Sequence, residues 1–100
     1  MSETAAGQRI DLWLWHARFF KTRSLATTIV SKGRMRITAN GTTRRVTKPA
    51  TLLRIGDTLT FLRNDRVARI TILALADRRG SAVEAQALYT ALDDETADAR

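Results

Sequence analysis

The 100-residue sequence contains no cysteine, one proline and one histidine. Without cysteine, neither a disulfide nor a cysteine-ligated zinc ion can support the fold, which excludes zinc fingers and thiol redox motifs. No apolar run approaches the roughly 18 residues of a membrane span, and the first residues lack the apolar segment of a signal peptide. We therefore expect a cytoplasmic protein with no membrane segment and one modest hydrophobic core.

Groups suited to catalysis are equally scarce. His16 has no histidine or carboxylate partner at the spacing of a metal-binding helix, and we expect it to be a surface or boundary residue. Neither a phosphate-binding glycine loop nor the nucleophile elbow of hydrolases is present. Asp11 falls in the first turn of a predicted helix, where the helix dipole favours a carboxylate. We predict no enzyme activity, no catalytic residue, no metal site and no cofactor.

Positive charge is concentrated in the first half of the chain. Residues 9–54 contain eleven lysines and arginines and one acidic residue, whereas residues 81–100 contain five acidic residues and one arginine. This asymmetry is typical of a protein that binds a polyanion. A compositional bias that only makes the surface soluble is the alternative. A membrane-surface peptide fits less well, because the charge is spread over several short elements.

Two short helices are predicted first. Apolar residues recur at helical spacing over residues 9–19, and again over residues 23–32. Thr22 can cap the second helix and Gly33 can end it. Because the connection is short, we expect the two helices to form a tight corner.

The first helix carries a second apolar stripe, on the side opposite its main one. We expect this stripe to pack against a terminal helix, through contacts with Leu88 and Tyr89. A platform on which RNA bases stack is the alternative. The stripe consists of Leu12, Trp15 and Phe19.

After the second helix, apolar and polar residues alternate, which is the pattern of half-buried strands. Asn40-Gly41 is a strong hairpin signal, and helical spacing returns over residues 82–92. The sequence thus predicts an α+β fold, with a two-helix corner followed by a small antiparallel β-sheet and a C-terminal helix. The domain is expected to span 9–92, between a disordered N-terminus (1–8) and an acidic tail (93–100). The predicted strands cover residues 34–38, 42–46, 58–62 and 67–75.

The start of the second helix combines free backbone N–H groups with cations and hydroxyls, a setting in which phosphate binds readily. A plain helix cap with solvated cations is the alternative. The residues at this start are Lys21, Thr22, Arg23 and Ser24. A further basic cluster follows at the end of the helix and on the next strand, at Lys32, Arg34 and Arg36. Its presence favours binding of a nucleic-acid backbone.

The stretch RIDLWLWHARFFKTRSLATTIVSKGRMRI, with the later NG, TKPA and GDTLTF, resembles the RNA-binding domain of the ribosomal protein S-four family. Together with the distal DRRGSAVEAQALY, it is most similar to a branch of ribosome-associated bacterial heat-shock proteins. The resemblance implies binding of structured RNA, above all ribosomal RNA of the large subunit. It also implies a stress-response role, in recycling subunits that still hold a nascent chain attached to tRNA.

Carried over position by position, the resemblance implies RNA contacts by Arg9, Arg18, Lys21, Thr22, Arg23, Ser24, Lys32, Arg34 and Arg36. The hairpin is longer than the family pattern, and the family's basic carboxy-terminal extension has no counterpart among the 100 residues. The longer hairpin adds further candidate RNA contacts at Arg44 and Arg45, and Lys48 is a third candidate. We expect the free protein to be a monomer.

Two other functions fit parts of the sequence. A helix-turn-helix protein that binds DNA would also pair two short helices with basic residues. The polar side chains between Arg23 and Lys32 are short, however, which disfavours contact with base edges. The other alternative is a detached RNA-binding module of an RNA-modifying enzyme, which would co-purify with a catalytic subunit.

Overall fold

The computed structural model describes residues 7–63 and 65–92. Within them, helices and strands form one mixed architecture, and the predicted α+β class is confirmed. In chain order the elements are β1 (Gln8–Arg9), α1 (Ile10–His16), α2 (Arg23–Ser31), β2 (Met35–Ala39), β3 (Thr42–Val46), β4 (Leu52–Leu53), β5 (Thr58–Arg63), β6 (Arg66–Ile72), α3 (Ala82–Gln86) and β7 (Tyr89–Ala91).

The main sheet has five strands in the order β3-β2-β5-β6-β7, and each neighbouring pair is antiparallel. The β2–β3 hairpin turns at Asn40 and Gly41, whose φ angles are 53° and 79°. Two successive left-handed residues are the geometry that favours Asn-Gly in a two-residue hairpin. The predicted hairpin is therefore confirmed.

The core lies between one face of this sheet and the helical corner. Side chains alternate along each strand, so every second residue faces α1 and α2. Trp13 and Leu14 of α1 and Val30 of α2 are completely buried against the inward-facing residues of the strands. The sheet residues of this core include Met35, Ile37, Leu59, Phe61, Ile70 and Ile72.

The first helix is shorter than the predicted 9–19, because α1 ends at His16. The N–H of Arg18 donates to Trp15 O and the N–H of Phe19 donates to Leu14 O, both at 3.0 Å. This pair of bonds is a Schellman ending, in which the residue at the position of Arg18 is left-handed and usually glycine. Arg18 has φ 65°, so no glycine marked the end in the sequence.

The start of the described chain differs from the prediction at Gln8. Gln8, expected in a disordered N-terminus, pairs with Leu53 in a small β1–β4 sheet, and its side-chain amide donates to Ala76 O. The remainder of that predicted terminus, 1–6, lies outside the described residues, as does the predicted acidic tail, 93–100.

The helix predicted over 82–92 is wrong beyond Gln86. Ser81 and Glu84 form a capping box that starts α3, but the chain turns after Ala87 and continues as β7. There it pairs with β6, whose backbone groups would otherwise form an open sheet edge. The strand predicted over 67–75 correspondingly runs as β6 and ends at Ile72.

Candidate RNA-binding surface

The start of α2 has the geometry that its sequence predicts. Thr22 is extended, and its Oγ1 accepts a hydrogen bond from Leu25 N at 3.0 Å. The N–H groups of Arg23 and Ser24 donate to no acceptor within residues 7–63 and 65–92. Lys21, Arg23 and Ser24 have exposed side chains. Two backbone donors, a hydroxyl and two cations therefore face solvent at one helix start.

A second set of cations lies at the other end of α2, about 13 Å away given a rise of 1.5 Å per residue. Lys32, Arg34 and Arg36 are exposed there. Gly33 has φ 71°, and a Cβ at this position would lie 3.3 Å from Arg45 Cδ. The side chain of Arg45 thus runs over the turn that leaves α2, so the hairpin joins this basic cluster.

The remaining hairpin cations are placed by strand register. Arg45 is the cross-strand partner of Arg36, so both side chains point away from the core. Arg44 is the partner of the buried Ile37 and therefore projects from the other face at the edge strand. Lys48 follows β3 in the connection to β4 and is exposed.

Arg9 and Asp11 form an ion pair at the start of α1. The Arg9 side chain is 44% exposed, whereas that of Asp11 is 1% exposed. Thr27 Oγ1 of α2 also donates to Asp11 Oδ2, at 2.8 Å. Burial alone would raise the pKa of Asp11, but the hydrogen bonds from Arg9 and Thr27 outweigh it and hold the pKa below its ordinary value. Asp11 is therefore a buried link between the helices as well as a first-turn carboxylate.

Arg18 contacts the C-terminal part of the domain. Its Nε donates to Gly80 O at 2.8 Å, in the loop before α3. Arg18 also lines a cavity with Arg63 and Tyr89. The structure thus joins Arg18 to the C-terminal segment, and among residues 7–63 and 65–92 no hydrogen bond or ion pair joins it to the cations at the far end of α2.

His16, predicted to be a surface or boundary residue, is instead 4% exposed. Its Nδ1 donates to Ala76 O at 3.0 Å. Burial is the largest influence and lowers the pKa of His16; the hydrogen bond to Ala76 O opposes it, and the charges of Arg23 and Asp77 have smaller, opposite effects. The side chain follows Trp13 by three residues, so it shares the buried face of α1. The spacing of three residues from Trp13 was the sequence signal that could have predicted the burial of His16.

Two residues of the predicted second apolar stripe are covered in different ways, and Phe19 lies beyond the end of α1. The ring of Phe19 packs against the ring of Tyr89, with centroids 4.8 Å apart, and edge-on against Phe61 at 5.4 Å. The predicted contact with Tyr89 is confirmed, although Tyr89 belongs to a strand. Trp15 is half-buried beneath Arg79, whose Cζ lies 5.8 Å from the ring centroid.

The cavities offer little to a cofactor. One of about 230 Å³ is lined by His16, three charged residues and neighbouring small or apolar residues, and it is smaller than the roughly 300–1,000 Å³ of typical small-molecule sites. The three charged residues are Asp77, Arg78 and Glu84. Among the residues that the structure describes, no three histidines or carboxylates come together to hold a metal ion. None of the described helices is long and apolar enough to cross a membrane.

A trimeric structure of Vibrio cholerae heat shock protein 15 has the same fold, with a TM-score of 0.78 and 36% identity, and the match covers 92% of this chain and 88% of that one. The chain belongs to the heat shock protein 15 family. The heat shock protein 15 homolog of Haemophilus influenzae is 38% identical over 81 residues, which are 81% of this chain and 58% of that protein. Heat shock protein 15 of Escherichia coli K12 is 34% identical over 90% of this chain and 61% of its own length.

The chain thus spans about three-fifths of the length of these curated heat shock protein 15 relatives. No protein-family model matches the chain. The relatives are named as heat shock proteins, which agrees with the stress-response role implied by the sequence, and none of the names is that of an enzyme.

Proposed function

We propose that the chain binds structured RNA without catalysis, and that its target in the cytoplasm is ribosomal RNA of the large subunit. The observation that carries the proposal is the placement of exposed cations at both ends of α2, on a corner that Asp11 links from within. The resemblance to ribosome-associated heat-shock proteins supplies the identity of the RNA. On that basis, the chain assists in recycling subunits blocked by a nascent chain attached to tRNA.

Phosphate contacts suit this surface better than base contacts. Lys21 and Arg23 stand beside two backbone donors, and such donors bind anions at helix starts. A-form RNA presents its phosphates and 2′-hydroxyls and hides its base edges in a deep, narrow major groove. A rigid set of cations at fixed spacing therefore suits recognition of RNA shape.

The structure of α2 argues against a DNA-reading helix. Beyond the first turn of α2, the exposed side chains are Thr28 and Ser31, which are too short to reach base edges from the helix axis. Thr27 is engaged with Asp11. Competition between structured ribosomal RNA and duplex DNA at one salt concentration tests this choice, and preference for the duplex would refute it.

The helix start is tested by K21Q/R23Q. Each lost phosphate contact removes about 0.7–0.9 from the slope of log affinity against log salt, so we expect the slope to shrink by about 1.4–1.8. The charge-matched control is R54Q/R66Q, which removes two exposed arginines outside this corner. Filter binding of large-subunit ribosomal RNA at several salt concentrations measures the salt slope of each double variant. A slope that K21Q/R23Q leaves unchanged would contradict a phosphate site at this helix start.

The cellular target is tested by sedimentation with separated ribosomal subunits, with and without a stalled peptidyl-tRNA. We expect co-sedimentation with the large subunit and stronger binding when peptidyl-tRNA is present. We also propose that the free protein is a monomer, whereas the Vibrio cholerae relative was solved as a trimer. Sedimentation velocity of the free protein across concentrations decides between these states.

A further inference from the structure

The strand register aligns three arginines in one row across the outward face of the main sheet. Arg45 pairs with Arg36, Arg36 pairs with Thr60, and Thr60 pairs with Arg69. Directly paired residues of antiparallel strands point to the same side of a sheet. We call these four residues the arginine row, which crosses β3, β2, β5 and β6.

A row of threonines lies beside the arginine row and crosses all five strands. It follows the register from β3 to β7 without interruption. The first two hydroxyls are in contact, with Thr38 Oγ1 2.6 Å from Thr43 Oγ1. This threonine row consists of Thr43, Thr38, Thr58, Thr71 and Thr90.

The arginine row is electrostatically unfavourable in the free protein. Like charges directly opposite each other on paired strands are destabilising, and Arg36 and Arg45 form such a pair. Among residues 7–63 and 65–92, the ion pairs are Arg9–Asp11 and Arg78–Glu84, and neither involves this face. Its outward-facing strand residues include no carboxylate. An anion bound across the row would remove the repulsion.

Two ordinary explanations cover only part of this face. Threonine is a good strand former, which accounts for the threonine row by itself. Basic residues on edge strands prevent sheets from joining, which accounts for Arg45 on β3. Arg36 and Arg69 lie on strands that are paired on both sides, however, so protection of an edge does not explain them.

The arginine row is continuous with the basic cluster at the end of α2. Arg45 belongs to the row, and its side chain lies over Gly33, between Lys32 and Arg34. Adjacent strands are about 4.8 Å apart, so the row extends about 14 Å from Arg45 to Arg69. A ligand held by the α2 end can therefore extend across the sheet.

The side chains of this face define the chemistry of the ligand. None of its outward-facing strand residues is aromatic, so bases cannot stack there as they do on other RNA-binding sheets. Guanidinium groups suit phosphate, and hydroxyls can exchange hydrogen bonds with the ribose 2′-OH. We propose that the arginine row and the threonine row together bind the sugar-phosphate backbone of RNA, as a second contact surface beside the α1–α2 corner. This inference rests on the proposed RNA-binding function.

The arginine row is tested at Arg69, which lies far along the row from α2. R69Q should weaken binding to large-subunit ribosomal RNA about fivefold and reduce the salt slope by about 0.7–0.9. R69K keeps the charge and should restore the slope. R66Q is the matched control, because Arg66 is an exposed arginine of the same strand whose register with Arg63 places it on the other face. Equal slopes for R69Q and R66Q would overturn the proposal.

This outcome is separable from failure of the proposed function. If R69Q leaves the slope unchanged while K21Q/R23Q reduces it, the protein binds RNA through the corner and the sheet inference is wrong. If neither variant changes the slope, the proposed phosphate site also fails. Thermal unfolding of every variant checks that the fold is intact.

The threonine row is tested by T58V/T71V, which keeps the β-branched shape and removes two hydroxyls. Affinity is measured for two duplexes of one sequence, one RNA and one DNA. Because the 2′-OH is present only in RNA, we expect about threefold weaker binding to the RNA duplex and no change for the DNA duplex. Unchanged binding to the RNA duplex would show that the threonine row does not contribute to RNA binding.

Discussion

The buried carboxylate of Asp11 holds the guanidinium of Arg9 at two points, with Nε to Oδ1 and Nη2 to Oδ2 both at 3.0 Å. Two parallel bonds of this kind fix the orientation of a guanidinium as well as its position. The same carboxylate accepts from Thr27 of α2. One buried anion therefore joins the two helices and orients a cation that the sequence interpretation assigned to RNA.

Replacing Asp11 by asparagine should destabilise the fold. D11N removes the charge that satisfies Arg9 and weakens the bond from Thr27, and hydrogen bonds to charged groups contribute about 1.5–3 kcal/mol each. Because Arg9 is partly exposed and can be resolvated, we expect a loss of about 1–3 kcal/mol in the free energy of unfolding. T27V, which removes one bond to this carboxylate, should cost about 1.5–3 kcal/mol. Urea unfolding measures both, and native stability in D11N would contradict the role of this link.

The stability that Asp11 contributes should depend on pH. The pKa of the folded Asp11 lies below its ordinary value of 3.8. A carboxylate with a depressed pKa contributes its full stability above the ordinary value and loses it as pH falls through the folded pKa. The difference in unfolding free energy between the native protein and D11N should therefore be constant near neutrality and narrow below about pH 4. A difference that stays constant to pH 2 would show that the charge is not responsible.

His16 should give a second pH dependence, in a different range. Its folded pKa lies below the ordinary 6.5, so the unfolded chain takes up a proton at a higher pH than the folded one. The stability that neutral, buried His16 contributes is complete above the ordinary pKa. It decreases as the pH falls from the ordinary pKa towards the lower folded pKa. We expect the free energy of unfolding to decrease as the pH falls below about 6.5. H16N, whose amide can still donate to Ala76 O, should flatten this decrease, and a slope unchanged in H16N would refute the assignment.

The helical corner and the hairpin could be predicted because their signals are local. Helical apolar spacing, Thr22 at a helix start and Asn40-Gly41 at a turn each act within a few residues. The C-terminal segment was different, because the spacing of Ala85, Leu88 and Tyr89 satisfies a helix. The edge of β6 and the rings of Phe19 and Phe61, which lie far away along the chain, select the strand instead.

The candidate site also combines features that follow from local sequence with features that depend on distant contacts. The cations at both ends of α2 were identified in the sequence, since charge and helix position suffice for that. The hydrogen bond of His16 is to Ala76, 60 residues away, and alignment of Arg69 with Arg36 depends on the register of three strands. Contacts between distant residues had no signature in one sequence.

The position of Arg45 over Gly33 can be tested with a pair of glycine variants. Gly33 and Gly41 have φ angles of 71° and 79°, so alanine at either position should cost about 1–2 kcal/mol of stability from backbone strain. The two sites differ in their surroundings. A Cβ at Gly33 would meet Arg45 Cδ at 3.3 Å and Thr47 Cγ2 at 3.4 Å, whereas at Gly41 it would meet nothing within 4 Å.

G33A should therefore shift the Arg45 side chain by a few tenths of an ångström, and G41A should leave it in place. We expect G33A to weaken binding of large-subunit ribosomal RNA slightly and to reduce the salt slope by less than about 0.9, the value of one whole phosphate contact. G41A should lose stability without a change in slope. The slopes are measured at a temperature where both variants are folded. Since both carry the same backbone strain, equal slopes would mean that Arg45 acts independently of the turn after α2.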